Sequence, residues 1–405
     1  MKSAPSIALV LSLALGAFAA VAGYVTVTHV TAQQRIDEPT VDIAYDLLNP
    51  SGGMHTVTIG VTTNSGATYV VNATNFSGDV GAYVTAGTNK QVAWFAAGDF
   101  PHTTTSLARV RVTAIAIQDA TNAMAFIPAG AFQMGTNNLE YEDQMPSAGP
   151  HHTVTLSAFW MDKYEVTSQQ WHAVRTWALM HGYALHAGSG KGALHPVQLV
   201  SWYDCVKWCN ARSEMQGLTP CYYSDAAQTM VYRSGDTDVA NEWVKWSANG
   251  YRLPTEAEWE KAARGGAVGM RFPWVDANTI TNARANYLGD PGGYPYDLGP
   301  AGNNPLFTPG GLPNTSPVGY FAANGYGLYD MAGNVYEWCC DWYDGSWYSN
   351  VGATQQDTCG PASGTLRVLR GGSWDYRAFL CRVASRNGDG PIGQWYGRGF
   401  RCVCR

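Results

Sequence analysis

The sequence predicts a chain in two parts: a small all-β domain, then a larger α+β domain with little regular secondary structure. Three observations carry this. Residues 24–118 contain no Cys and alternate apolar with polar residues at period two, as half-buried strands do. From about Asp119 the texture changes to Trp, Cys, Gly-rich loops and a few short helix signals. The last 39 residues, 367–405, hold eight Arg, seven Gly and three Cys but no Lys. Arg is the residue of fixed buried contacts, whereas Lys suits solvated surface, so this end reads as a pinned closing segment.

Taken in order, residues 1–22 read as a secretory signal, with Lys2 before an apolar run from Ile7 to Phe18 and Ala20-Val21-Ala22 as cleavage site. Export to the cell surface, the extracellular space or a periplasm follows, with membrane attachment only if the signal stays uncleaved. Residues 23–118 form the first domain. His55-Thr56-Val57-Thr58-Ile59-Gly60-Val61, Thr68-Tyr69-Val70-Val71 and Arg109-Val110-Arg111-Val112-Thr113-Ala114 alternate between turn clusters, which predicts a β-sandwich of immunoglobulin-like kind. Asn72 and Asn75 begin glycosylation sequons by pattern.

Residues 119–405 form the second domain. Thr167, with Gln170 to complete a capping box, opens a helix that ends near His181 and Gly182. Ser201 opens a second, whose Trp202, Cys205, Val206 and Cys209 share one face. Thr255 opens a third, closed by Gly265-Gly266, with Glu260 and Arg264 spaced as an i, i+4 pair. Beyond 266 the chain is mostly loop. Net charge is −6 and only 14% of residues are charged, which excludes a nucleic-acid binder with a basic face. Nine cysteines in an exported chain predict disulfides with at least one thiol left over. His151-His152 point to opposite faces of a strand and read as solvated or packing residues.

Several runs match one family. They are Phe126-Ile127-Pro128-Ala129-Gly130, Met161-Asp162-Lys163-Tyr164-Glu165-Val166-Thr167, Tyr251-Arg252-Leu253-Pro254-Thr255-Glu256-Ala257-Glu258-Trp259-Glu260, Gly333-Asn334-Val335-Tyr336-Glu337-Trp338, Arg370-Gly371-Gly372-Ser373-Trp374 and Gly399-Phe400-Arg401-Cys402. In order, over about residues 123–405, they resemble the formylglycine-generating enzyme (sulfatase-modifying factor) family. The resemblance implies a C-type-lectin-like α+β fold. It also implies calcium held by Glu165, Asp330 and Glu337 with the carbonyls of Gly333 and Val335, and a second, weaker calcium position at Asn286 and Tyr287. It implies a disulfide between Cys209 and Cys402. Cys205 and Cys404, offset from these on the same faces, are candidates for a parallel bridge. The positions of a second family disulfide hold Ala263 and Val383.

Catalytic members of that family oxidise a sulfatase cysteine to formylglycine with oxygen and a copper ion on two cysteines, five residues apart shortly after the RGGS run. Counted forward from that run, the two positions fall here on Tyr376 and Cys381; counted back from Arg386 they fall on Ser373 and Ala378. Neither register supplies two thiols, and Cu(I) selects thiolates. Copper is therefore not expected, and Cys381 is a catalytic candidate only under the alternative, a copper-dependent oxidase. The leading expectation is a calcium-stabilised binding or surface-structural module. Its candidate contact residues are Trp374, Tyr376, Arg377, Phe379, Gln394, Trp395, Tyr396 and Arg398, because aromatic and Arg residues dominate recognition hot spots. The fold also resembles the variable proteins of diversity-generating retroelements, which bind ligands with their C-terminal surface. The expected partner is a protein or glycan, with self-association as a further possibility.

Overall fold

The computed structural model describes residues 26–36, 38–48, 54–62, 75–99, 108–117, 124–136 and 148–405. The expected leader, the Thr68–Val71 run and Asn72 lie outside these. The chain divides into two compact units, residues 1–122 and 123–405. Among the described residues no helix is long and apolar enough to cross a membrane.

The first unit contains β1 (Thr26–Gln34), β2 (Thr40–Leu48), β3 (Met54–Thr62), β4 (Phe76–Gly78), β5 (Gly81–Thr85), β6 (Gly87–Phe95), a single helical turn α1 (Ala96–Asp99) and β7 (Arg109–Ile117). They make two antiparallel sheets, ordered β1-β2-β6-β4 and β5-β3-β7. Period-two patterning decides which side chains go inside: Val41, Ile43, Tyr45 and Leu47 of β2 are buried and their neighbours are not. They share one apolar cluster with Val57, Ile59 and Val61 of β3, Val92 and Trp94 of β6, and Val112 of β7. The amide of Asn75 donates to Asp99 at 2.9 Å, and the Trp94 indole donates to the same carboxylate at 2.8 Å.

The second unit contains β8 (Met124–Ile127), β9 (Gly130–Met134), β10 (His152–Leu156), β11 (Phe159–Asp162), α2 (Ser168–Met180), α3 (Trp202–Met215), α4 (Glu256–Arg264), β12 (Tyr336–Trp342), β13 (Arg367–Arg370), β14 (Asn387–Asp389), β15 (Arg398–Gly399) and β16 (Val403–Cys404), with short 3₁₀ turns between. The strands form a β9–β10 pair, a sheet ordered β16-β11-β8 and a sheet ordered β14-β13-β12-β15. All three helices start at the residues whose side chains can satisfy the orphan N–H groups of a first turn. Thr167 with Gln170, Ser201 with Asp204 and Thr255 with Glu258 each close a full capping box. Gly265, at φ +57°, ends α4 in the left-handed conformation.

The predicted face of α3 goes fully inside: Trp202, Cys205, Val206 and Cys209 are all buried. Trp171 of α2 stacks at 6.0 Å on Trp208 of α3, and Phe400 meets both rings edge-on. Ala263 and Val383 are buried in the same apolar cluster, where methyl groups do the packing. Helix α4 is buried along its whole length although its sequence, EAEWEKAAR, is largely charged. That is possible because its glutamates meet guanidiniums, those of Arg252, Arg370 and Arg386 from outside the helix and that of Arg264 from its own last turn. Glu258 holds Arg252 through two bonds of 2.6 Å, Glu256 holds Arg386 through two of 2.7 Å, and Glu260 is shared by Arg264 (2.6 Å) and Arg370 (2.5 Å). The Lys-free terminal segment is explained here: Arg367, Arg370, Arg382, Arg386 and Arg401 are among the largest fully buried side chains. Bidentate pairing is what a planar guanidinium does and an ammonium does not.

Candidate functional site

Cys381 ends a 3₁₀ turn, Ala378–Cys381, and is fully buried among Phe272, Ile280, Tyr287, Tyr294, Tyr296 and Ala378. Its Sγ lies 3.9 Å from the Arg377 carbonyl oxygen. Burial, with Asp297 nearby, pushes the thiol well above its ordinary range, away from the thiolate that soft-metal ligation needs. Gly372, at φ +75°, lies so close that a Cβ there would sit 2.7 Å from the sulfur. The other positions at issue are not thiols. Ser373 is buried and donates to Asp375, Ala378 is buried, and the Tyr376 ring packs edge-on against Tyr336 at 5.1 Å.

A second constellation joins three buried carboxylates, Glu165, Asp330 and Glu337. Asp330 and Asn334 both take positive φ (57° and 62°) in the turn 330–335, which hydrogen bonds tie to Glu165, just before α2. Glu165 accepts from the Asn334 amide at 2.6 Å and from the Val335 N–H at 3.1 Å. Glu337 accepts two bonds of 2.7 Å from Arg401 and one of 2.8 Å from the Trp259 indole. Asp330 Oδ2 accepts from the Gly319 N–H at 2.6 Å, and its Oδ1 is buried with no hydrogen-bond partner. One guanidinium thus serves three carboxylates. Burial, then the neighbouring Asp330 and Glu337 carboxylates, push Glu165 well above the usual range; burial raises Asp330 to about 6. Hard oxygens and an unpartnered carboxylate oxygen are the donor chemistry that a divalent hard cation such as Ca²⁺ takes, although among the described residues no group of three or more His, Cys, Asp or Glu is so placed as to hold a metal ion. The main-chain oxygens of Gly333 and Val335 belong to the same turn.

Asn286 and Tyr287 are placed differently. The Asn286 amide donates to the Asn314 carbonyl at 2.8 Å, and the Tyr287 hydroxyl donates to Asp297. Asp297 also accepts from the Asp290 and Gly299 N–H groups at 2.6 and 3.0 Å, so its lone pairs are already served by this loop's own donors. Sequence reasoning missed Asp297; no spacing rule points to a carboxylate eleven residues after Asn286.

The terminal segment separates into two environments. Trp374, expected at the surface, is buried at 6% exposure, a correction with a simple cause. Its main-chain N–H donates to Asn334 O at 3.0 Å, which ties the residue to the carboxylate turn. Phe379 is half-buried on Tyr294 at 5.3 Å. Arg377 is exposed and pairs with Asp290 at 3.3 Å, while Arg398 is half-buried, pairs with Asp389 and lies 5.7 Å from the Trp395 ring. Trp395 (60%) and Tyr396 (51%) stand exposed beside Ile392 (69%). Their loop is anchored from below: Pro391 O accepts the Trp202 N–H at 2.9 Å, and the Gln394 amide reaches Asp204 at 3.4 Å. Asp204 also accepts from His186 Nδ1 at 3.0 Å, a contact that sequence distance hid.

The profile of the sulfatase-modifying factor enzyme 1-like domain matches residues 112–405. The chain belongs to this family. It is 34% identical over 304 residues to the formylglycine-generating enzyme of Thermomonospora curvata, covering 71% of this chain and 94% of that protein. It is 33% identical over 286 residues to the chaperone protein LppX of Paenibacillus barcinonensis, covering 66% and 86%. Among solved structures it resembles Treponema denticola variable protein 1, with 31% identity, 70% and 94% coverage and a TM-score of 0.52. Relatives of comparable identity are therefore named as an enzyme, a chaperone protein and a variable protein. In this sulfatase-modifying factor family member no two of the nine cysteines are joined in the structure. Cys209 and Cys402 face each other with sulfurs 3.6 Å apart, while Cys404 lies against Met124 Sδ at 3.6 Å. His152 packs on Tyr348 at 4.6 Å, a ring contact within the fold.

Proposed function

We propose that this family member is an exported, calcium-stapled binding module that recognises a protein or glycan ligand through the exposed part of its terminal segment. One observation carries the reading: Cys381, the one thiol at the positions where catalytic members hold copper, is sealed under aromatic side chains, while Trp395 and Tyr396 face solvent on an anchored loop. A rigid aromatic pair on a fixed loop loses little conformational entropy on binding, which is what a hot spot needs. The lectin-like second unit presents this surface, and the two sheets of the first unit, read as a sandwich, carry it. Calcium, when bound, supplies positive charge to the Glu165–Asp330–Glu337 cluster. Asp330 and Glu165 are the side chains that would hold it, with Arg401 keeping Glu337 oriented. The turn 330–335, from which Trp374 hangs, is then fixed to the start of α2.

The alternative is oxidation of sulfatase cysteines, favoured by the identity to the Thermomonospora enzyme. Incubating the purified chain with Cu(I), oxygen and a peptide carrying a sulfatase cysteine motif separates the two. The binding reading predicts no loss of the peptide thiol; aldehyde formation above the copper-only control would sink it.

A further inference from the structure

A hollow of about 210 Å³ opens beside the end of α4. Arg264, Arg271 and Asn278 bring polar groups to its wall, and Met270 and Ala384 bring apolar ones. Thr136, His151 and Arg382 also line it, each already engaged by partners of its own. Among the described residues no Asp or Glu lines it. In a chain of net charge −6 this is a local inversion of sign, and a concave wall focuses such a field.

Two of the guanidiniums have donors to spare. Arg264, only 8% exposed, gives Nε and Nη2 to one oxygen of Glu260, at 3.0 and 2.6 Å, and Nη2 also to the Gly135 carbonyl at 3.0 Å. Its Nη1 makes no bond and is not sealed from solvent. Glu260 does not balance Arg264 alone, because its other oxygen is held by Arg370. Arg271 is half-buried and, among the described residues, pairs with no carboxylate. Its Nη1 meets the Asn278 carbonyl at 3.0 Å, and its guanidinium lies 4.5 Å from the centre of the Tyr296 ring. Its Nε is sealed off without a partner, whereas its Nη2 is unbonded and open. The main chain beneath is fixed: the Arg271 N–H donates to Asn278 Oδ1 at 2.6 Å, and the Arg271 carbonyl accepts the Val383 N–H at 2.9 Å. Burial, and then the Arg264 charge, push the His151 imidazole below its ordinary range, so this wall disfavours a further cation.

We propose that this hollow binds an oxyanion group, a carboxylate, sulfate or phosphate, between Arg264 Nη1 and Arg271 Nη2. Planar guanidinium forks on a fixed loop and a buried helix end are the donors that such groups take. The volume lies below the roughly 300 Å³ at which pockets for whole small molecules begin, so it suits one charged group with a short stem. Trp395 and Tyr396 do not line it, and the site is independent of the recognition surface proposed above.

The test titrates the full chain by calorimetry with sodium phosphate, sulfate and acetate, each balanced with NaCl to one ionic strength. Wild type is expected to bind at least one of the three in a saturable one-to-one isotherm, and the preferred anion tells a tetrahedral group from a carboxylate. Arg271→Gln is expected to weaken that binding about tenfold or more, the effect of losing a charged donor. Asn278→Asp keeps an oxygen for the Arg271 N–H but sets a negative charge at the exposed rim, and is expected to weaken binding to a similar degree. Thermal unfolding without anion checks that each variant keeps its fold; if Arg271→Gln does not, Asn278→Asp decides. Wild type that binds none of the three anions overturns the proposal, as does binding that no folded variant weakens.

Discussion

The second unit buries two groups of three carboxylates, and they differ in what faces them. On α4, Glu256, Glu258 and Glu260 meet four guanidiniums, those of Arg252, Arg264, Arg370 and Arg386. At the 330–335 turn, Glu165, Asp330 and Glu337 meet one, Arg401. The first group is electrically complete and acts as scaffold. The second is short of positive charge by two, and one oxygen is bare. Buried ionic groups are costly unless paired or hydrogen-bonded, so the difference separates a cluster balanced by the fold's own cations from one that is not.

The comparison breaks most visibly through Glu260. Glu260→Ala strips one partner from both Arg264 and Arg370 and should cost about 3–5 kcal/mol by chemical denaturation, or prevent folding. A loss below about 1 kcal/mol would show that the α4 pairs are not needed as pairs. Next in size is a pH effect from Asp341, which accepts the first N–H of α4 at 2.8 Å and is pushed up to about 8 by burial and then by Glu256. Its folded value exceeds its unfolded one, so the folded state holds the proton longer. This contribution is complete below about pH 4 and is lost as pH rises through about 8, at up to about 1.4 kcal/mol per pH unit. Asp341→Asn, which keeps an acceptor for the helix, should flatten that slope in denaturation curves; an unchanged slope contradicts the assignment. At the unbalanced cluster the sign reverses. Asp330→Asn in chelator removes a repelling charge and should stabilise by about 1 kcal/mol, whereas a loss of that size would mean the carboxylate is already satisfied. Smallest is Trp395→Ala, expected within about 0.5 kcal/mol of wild type, against about 3–5 kcal/mol for Trp374→Ala; similar values for the two would dissolve the division of the terminal segment.

Much of this was legible in the residues. The helix starts at Thr167, Ser201 and Thr255 follow from local capping chemistry, and the buried face of α3 follows from spacing. The Lys-free end announced buried arginines. The terminal aromatics were less legible, because Trp374 and Trp395 look alike in sequence and only the main-chain bond to Asn334 puts one inside. Charge balance was legible only in the Glu260–Arg264 pair. Glu260 and Glu165 are both motif glutamates, yet the first also finds Arg370, 110 residues on, while the second finds the Asn334 amide, 169 residues on. Asp297 was missed for the same reason: its donors come from loop closure, which has no period.

The most direct test is thermal unfolding of the full chain with 1 mM Ca²⁺ and in EGTA, for wild type and Asp330→Asn. The account predicts that calcium stabilises wild type by about 2–3 kcal/mol, as for an ion near one hundred times its dissociation constant, and leaves Asp330→Asn nearly unmoved. Equal unfolding of wild type with and without calcium would contradict it.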